Sequence, residues 1–157
     1  MNWAGLYYRW IDRSLTRSVA LAAQREAMGD GEWNQFFGEL GEQLATKRLR
    51  FDGLKPLYRN FRAPKGGEVD IVCRDGDFLV FVEVKTRRSV EFGRPVRAVN
   101  QGKQLLITRG AMAWLRELNH PDVNFRFDVV EVVLEEGKPP QIEHLKNVFQ
   151  MPEPYRY

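Results

Sequence analysis

The stretch Gly67–Arg87, GEVDIVCRDGDFLVFVEVKTR, constrains the fold of this chain more than any other. Two β-rich runs flank Asp75-Gly76, a dipeptide favoured in two-residue hairpin turns. With Asp75-Gly76 as the turn, Arg74 pairs with Asp77, Asp70 lies opposite Phe81, and Glu68 lies opposite Glu83. Side chains alternate along a strand, so Glu68, Asp70, Glu83 and Lys85 share one face. Val69, Ile71, Cys73, Val80, Val82 and Val84 take the other face, which reads as core. Asp70 and Glu83 are then diagonal neighbours, within roughly 7–8 Å.

Three acids and one lysine on a single hairpin face are costly. Like charges at that separation repel or raise a carboxylate's pKa, and Lys85 offsets only one of them. A lone Glu-x-Lys on a strand is a common surface ion-pair pattern, but the full set at matching parity is not. A divalent cation would balance the excess. Mg²⁺ prefers hard oxygen ligands, takes one or two carboxylates, and completes its shell with water and substrate phosphate. Asp70 and Glu83 suit that role, with the Val84 carbonyl as a third ligand. Lys85 is spaced to orient an attacking water or to counter phosphate charge.

Helices flank this hairpin. Trp3, Leu6, Tyr7, Trp10, Ile11 and Leu15 recur at helical spacing, which predicts a helix over Trp3–Met28. It reads as docked on its own domain, on a protein partner or on a second copy in a homodimer, with an interfacial membrane helix as the alternative. Gly29-Asp30-Gly31 ends it. A second helix is expected over Glu32–Arg50. There Gly38, Glu42, Ala45 and Leu49 form a narrow stripe, and Gly38 and Gly41 suggest close packing, since each costs ~1 kcal/mol relative to Ala in a helix. Glu42 in such a stripe is a candidate to bind the metal or to hold one of its ligands in place. Leu54–Arg62 reads as an edge strand, because Pro56 lies in it. Val96–Leu118 reads as a third helix, Asn124–Leu134 as a strand and Gln141–Leu145 as a short strand. The organisation expected is a helical extension over residues 1–30, one domain over residues 31–150 and a tail over residues 151–157.

These motifs resemble a known family. GELGEQLA (Gly38–Ala45), YRNFRAPKGGEVDIV (Tyr58–Val72), FVEVKTR (Phe81–Arg87), FGRPVRAVNQGK (Phe92–Lys103) and RFDVVEV (Arg126–Val132) occur in that order. The set is similar to the YraN-like family of small bacterial endonuclease-like proteins, within the PD-(D/E)xK superfamily. The usual proline of that motif is absent, and Val69 stands in its place. The resemblance implies a restriction-endonuclease-like α/β fold with a central mixed sheet of about four or five strands flanked by helices. It implies that Asp70, Glu83 and Lys85 are the motif residues and Glu42 the accessory helix acid. Mg²⁺ or Mn²⁺ is the implied cofactor, and metal-dependent hydrolysis of DNA phosphodiesters, branched or damaged DNA included, the implied activity.

The basic residues agree with a nucleic-acid partner. Between Lys85 and Arg109, Arg87, Arg88, Arg94, Arg97 and Lys103 face a single acid, Glu91, an asymmetry suited to a phosphate backbone. Asn60, Arg62 and Lys65 lie in or near the loop before the hairpin and could reach the same groove. Lys103 falls on the apolar side of its helix, where a lysine needs a partner, and Gln104 borders it. The rival reading is a non-catalytic module that grips nucleic acid within a repair or recombination complex.

The remaining composition bounds the class. The 157 residues carry a net charge of +3, with 43% apolar and 29% charged residues, an ordinary globular mixture. Cys73 is the single cysteine, so no disulfide forms within the chain. His120 and His144 lie in unrelated contexts and are not ligand candidates. Arg126 and Asp128 share a strand face and read as a structural pair. No run approaches the ~20 apolar residues of a membrane span, and the N-terminus is interrupted by charge, so a cytoplasmic location is expected.

Overall fold

The alternating apolar runs pair into one five-stranded sheet, in the order β1-β2-β3-β4-β5. The computed structural model describes residues 20–89 and 99–152. The strands are β1 (Lys55–Arg62), β2 (Glu68–Asp75), β3 (Phe78–Arg87), β4 (Asn124–Val133) and β5 (Gln141–Phe149). β1/β2, β2/β3 and β4/β5 are antiparallel, whereas β3 and β4 run parallel. Parallel neighbours need a crossover, and helix α3 (Gln101–Glu117) lies between them in sequence. The sheet is therefore mixed, as expected.

Each face is covered by one helix. Helix α2 (Asp30–Phe51) lays Trp33, Leu40, Leu44 and Leu49 against Ile71, Val82 and Val130. Helix α3 lays Ile107, Ala111 and Leu115 against Phe81, Phe127 and Val129. Gly41 of α2 sits so close to β3 that an added Cβ would lie 1.8 Å from Thr86 Oγ1. Gly38 has no neighbour within 4 Å of such a Cβ, so only one of the two glycines marks a close approach.

Several boundaries differ from the sequence expectation. The described helix before α2 is α1 (Ala22–Ala27), with Leu21 as its N-cap. Leu21 is buried, and the backbone N–H groups of Leu21 and Ala22 donate to Glu136 Oε2 at 2.6 and 3.1 Å. That carboxylate sets where the helix begins; the earlier part of the expected Trp3–Met28 helix lies outside the described residues. Helix α3 starts at Gln101 because Asn100 caps it, its Oδ1 accepting from the Lys103 backbone N–H at 2.9 Å. β5 runs past Leu145 to Phe149, whose ring stacks on Phe127 at 4.5 Å.

The hairpin turn is displaced by one residue. Asp75 pairs with Phe78, so the turn residues are Gly76 and Asp77, with Gly76 at φ 58°. A positive-φ glycine at the first central position suits a type II′ hairpin. The ladder runs from that pair to Ile71↔Val82. One step beyond it Asp70 lies across from Glu83, not from Phe81. The shift preserves parity, so Asp70, Glu83 and Lys85 keep a common face.

A second irregularity lies in β1 and β2. Asn60 has φ 55°, a left-handed conformation. Arg59 before it reaches Glu42 on α2, while Phe61 after it packs on Trp114 of α3. Residues two apart thus face opposite helices. The same change occurs around Asp70: Ile71 belongs to the α2-side core and Val69 to the α3-side core. Val69 therefore does not share a face with Ile71 and Cys73, because the strand twists between them.

Candidate active site

Asp70 lies where the β2–β3 ladder opens and β2 changes face. Its Oδ2 accepts the Val84 backbone N–H at 2.7 Å, which takes the place of a ladder bond and orients the carboxylate. Glu83 comes in from the facing strand. It is 7% exposed, and its Oε2 lies 3.2 Å from Lys103 Nζ. That contact is ionic and outside hydrogen-bonding geometry, so this buried oxygen has no hydrogen-bond partner among the described residues. Burial, and then the charge of Asp70, push the Glu83 carboxyl up to about 7, with Lys103 opposing them.

Glu42 approaches Asp70 from α2. Burial raises its pKa, a hydrogen bond from the Asn60 side chain opposes the rise, and the charge of Asp70 adds to it. Arg59 Nη2 lies 3.5 Å from Glu42 Oε2. The left-handed Asn60 thus turns β1 toward Glu42 and joins α2 to the site. Glu42 on α2 and Glu83 on β3 both lie within electrostatic reach of Asp70 on β2.

The ammonium nearest Glu83 belongs to Lys103. Its Nζ donates to Glu68 Oε1 at 2.5 Å and also contacts Glu83. Burial disfavours its charge, but the hydrogen bond with Glu68 and the charges of Glu83 and Asp70 outweigh that and raise its pKa. Glu68 is lowered, first by the Lys103 hydrogen bond and also by Arg62. Lys85 lies two residues beyond Glu83 on the same face, in register with Glu131 of β4. Glu131 is buried and raised by desolvation, with Arg87 and Lys85 acting against the rise. Arg87 Nε pairs with Glu131 Oε1 at 2.8 Å.

The other residues proposed for nucleic acid are dispersed. Arg62 pairs with Glu68 at 3.0 Å beside the site. Arg88 sits over the rings of Trp33 and Phe37, at 5.3 and 5.6 Å from their centroids, on the α2 side. Gln104 Nε2 donates to the Val99 carbonyl at 2.7 Å, a contact within the start of α3. Arg97 lies outside the described residues.

The donor set fits a hard divalent cation in part. No group of three or more Asp, Glu, His or Cys forms a ready metal cage among the described residues. Mg²⁺ does not require one, because one or two carboxylates with water and phosphate suffice. Asp70 and the under-bonded oxygen of Glu83 meet that requirement, and both oxygens are hard donors.

Two participants were not singled out from sequence. The position of Lys103 near its helix start lets it point at the acidic cluster, but only the docking of α3 shows that Glu68 is the acid it reaches. Glu131 was not recognised at all, although it carries the same signal as the hairpin, an acid inside the apolar run VVEVVL.

The model of the uncharacterised protein family UPF0102 matches residues 41–132. A UPF0102 protein of Trichlorobacter lovleyi is 48% identical over 122 residues, covering 77% of this chain and 95% of that protein. One from Geobacter sulfurreducens is 46% identical over 125 residues, covering 79% and 97%. One from Rhodococcus opacus is 44% identical over 116 residues, covering 74% and 98%. The matched family span contains Glu42, Asp70, Glu83, Lys85 and Lys103.

Proposed function

We propose that this chain, which belongs to the UPF0102 (YraN) family, is a divalent-metal-dependent nuclease that hydrolyses phosphodiester bonds in DNA. The family name carries no activity, so the reading rests on the site. The observation that carries it is the coupling of Asp70 to Glu83, with a buried Glu83 oxygen left without a hydrogen bond among the described residues. Buried polar atoms are satisfied in the great majority of cases, and an exception invites a functional explanation.

Mg²⁺ or Mn²⁺, held by Asp70, Glu83 and the Val84 carbonyl with Glu42 in support, would supply charge neutralisation at phosphorus and an acidified water. The chain's own residues do the rest. Asp70 is fixed by the Val84 N–H, so its carboxylate is oriented before substrate arrives. Glu42 and Asn60 hold the α2 side of the site. Lys85 orients the water or opposes charge on the phosphate. Lys103 adds a second ammonium beside Glu83. Branched or damaged DNA is the substrate class carried over from the family resemblance.

One observation favours the rival reading of a binding module without chemistry. Lys103 already offsets Glu68 and Glu83, so the cluster has a cation of its own. Cleavage of linear, nicked, flapped and four-way DNA with Mn²⁺ separates the two readings. Wild type, Asp70→Asn and Lys85→Ala are compared, with EDTA controls and a matched RNA. The nuclease reading expects wild-type cleavage that both substitutions and EDTA remove, with binding retained. Tight binding without cleavage under every condition supports the module.

A further inference from the structure

A groove of about 750 Å³ opens between the β1–β2 loop and the second half of α3. Pro64 and Met112 line it, and Lys65, Arg109, Arg116 and Glu117 stand around it. Three cations therefore face one carboxylate. The basic residues nearer the acids are already engaged: Arg62 with Glu68, Arg87 with Glu131, Lys103 with Glu68 and Glu83. Lys65 and Arg116 are exposed, and neither has an ion-pair partner among the described residues.

The groove is also built into the frame of the site. A Cβ on Gly67 would lie 2.6 Å from the Gly110 backbone nitrogen and 2.8 Å from the Arg109 carbonyl carbon. A Cβ on Gly110 would lie 2.9 Å from the Glu68 carbonyl carbon. The loop is thus pressed onto α3 directly before β2 carries Glu68 and Asp70 into the acidic cluster. Glu68 lies against Gly110, and from Gly110 to Arg116 α3 advances about 9 Å at 1.5 Å per residue. One strand of a duplex presents a phosphate every 3.4 Å of axis, so that span matches roughly three phosphates.

We infer that this groove is a second contact for the phosphodiester backbone of duplex nucleic acid, with Lys65 and Arg116 holding phosphates that flank the one at the acidic cluster. This rests on the nucleic-acid reading above and names the path the substrate takes across the protein. A polyanion fits better than an isolated anion. The cations stand on two elements, Lys65 on the β1–β2 loop and Arg116 on α3, and Pro64 and Met112 add apolar lining suited to sugar faces.

The test is fluorescence anisotropy of an end-labelled DNA duplex across a range of NaCl, in EDTA so that binding is read without cleavage. Wild type is compared with the double variant Lys65→Ala/Arg116→Ala and its charge-reversed form Lys65→Glu/Arg116→Glu. Lys138→Ala, in the β4–β5 turn, is the control for simple loss of charge, and circular dichroism melts confirm folding. Neutralising two phosphates is worth about 0.9 each in the slope of log K against log salt. The double alanine variant should lose about 1.8 from that slope and about tenfold or more in low-salt affinity. The reversed form should bind more weakly still, and the control should match wild type. Wild-type binding with an unchanged slope in both double variants overturns the groove alone. An equal loss in Lys138→Ala also overturns it, as a bulk charge effect. A wild type that does not bind the duplex overturns both the groove and the nucleic-acid reading.

Discussion

Glu83 and Asp128 occupy neighbouring strands one register step apart, on opposite faces of the sheet. In the parallel ladder Val82 pairs with Asp128 and Glu83 with Val129. Both carboxylates are buried, yet their surroundings differ completely. Asp128 accepts from Arg126 Nε at 3.0 Å and from the Asn147 backbone N–H at 2.8 Å, and His144 Nε2 lies 2.9 Å from its Oδ2. His144 Nδ1 lies 2.9 Å from Asp52 Oδ2, and Arg48 Nε bonds both oxygens of Asp52. Arg126 also reaches Asp75 at 2.7 Å. The chain of polar contacts is continuous from α2 to β2. Burial pushes the Asp128 pKa up, but the hydrogen bonds from His144, Arg126 and Asn147 outweigh it and hold the group low. Glu83, with one ion pair among the described residues, is driven up by burial and then by the like charge of Asp70. Fully satisfied networks rigidify a core, whereas partly satisfied ones are costly unless something else completes them. One face of the sheet satisfies its buried carboxylate within the fold; on the other, Glu83 keeps an oxygen without a hydrogen bond among the described residues.

Substitutions on the two sides should therefore fail in different assays. The largest effect expected is on catalysis. Asp70→Asn should lower Mn²⁺-dependent DNA cleavage about 10³-fold or more, on the order of 4 kcal/mol in barrier, with little change in melting temperature. The amide oxygen of Asn can still accept the Val84 N–H, so the fold is spared. Asp128→Asn should do the reverse, because it leaves Arg126 and His144 without their shared anion. Breaking a buried charge pair costs about 3–5 kcal/mol, read as a lower midpoint in urea unfolding, while the folded fraction retains its activity.

The pH dependence has opposite signs on the two faces. Glu83 is raised from an ordinary 4.5 to about 7. The folded state then holds a proton that the unfolded state has lost between those values, so stability falls as pH rises through that window. Glu83→Gln should remove this loss, raising metal-free stability at pH 8 by about 1–3 kcal/mol and changing little below pH 4.5. Asp128 is lowered from 3.8. Its contribution is present above that value and lost as pH falls through the folded one. Urea midpoints of wild type, Glu83→Gln and Asp128→Asn across pH would show both slopes. The smallest effect expected is at the frame of the site. Gly38→Ala should gain about 0.5–1 kcal/mol, since its Cβ meets open space. Gly41→Ala should instead lose stability through the clash with Thr86.

The acidic face was legible in the sequence because strand parity survives small errors. A turn moved by one residue on each side changed Asp70's partner from Phe81 to Glu83 but left Asp70, Glu83 and Lys85 on one side. Gly41 was legible as a close contact, and Lys103 as a lysine needing a partner. What could not be read depends on tertiary geometry. The left-handed Asn60 reverses the facing of Arg59 and Phe61 without any glycine to announce it. It also separates Val69 from the core face assigned to it. Whether Lys85 or Lys103 reaches Glu83 depends on how α3 docks, which spacing within β3 does not encode. The Asp52–His144–Asp128 chain joins residues from three distant segments, so neither histidine looked like part of anything. The pairing of Arg126 with Asp128 was legible because both lie on one strand face.

The most direct measurement is calorimetric titration of wild-type and Asp70→Asn protein with Mn²⁺ near pH 7, in two buffers of different ionisation enthalpy. A cation completing the Asp70–Glu83 pair must displace the proton held by Glu83, because ligands bind metal in their deprotonated form. Wild type should bind Mn²⁺ saturably with proton release, and Asp70→Asn should lose both. Absence of binding by wild type, or equal binding by the two proteins, would contradict a cation site at the Asp70–Glu83 pair.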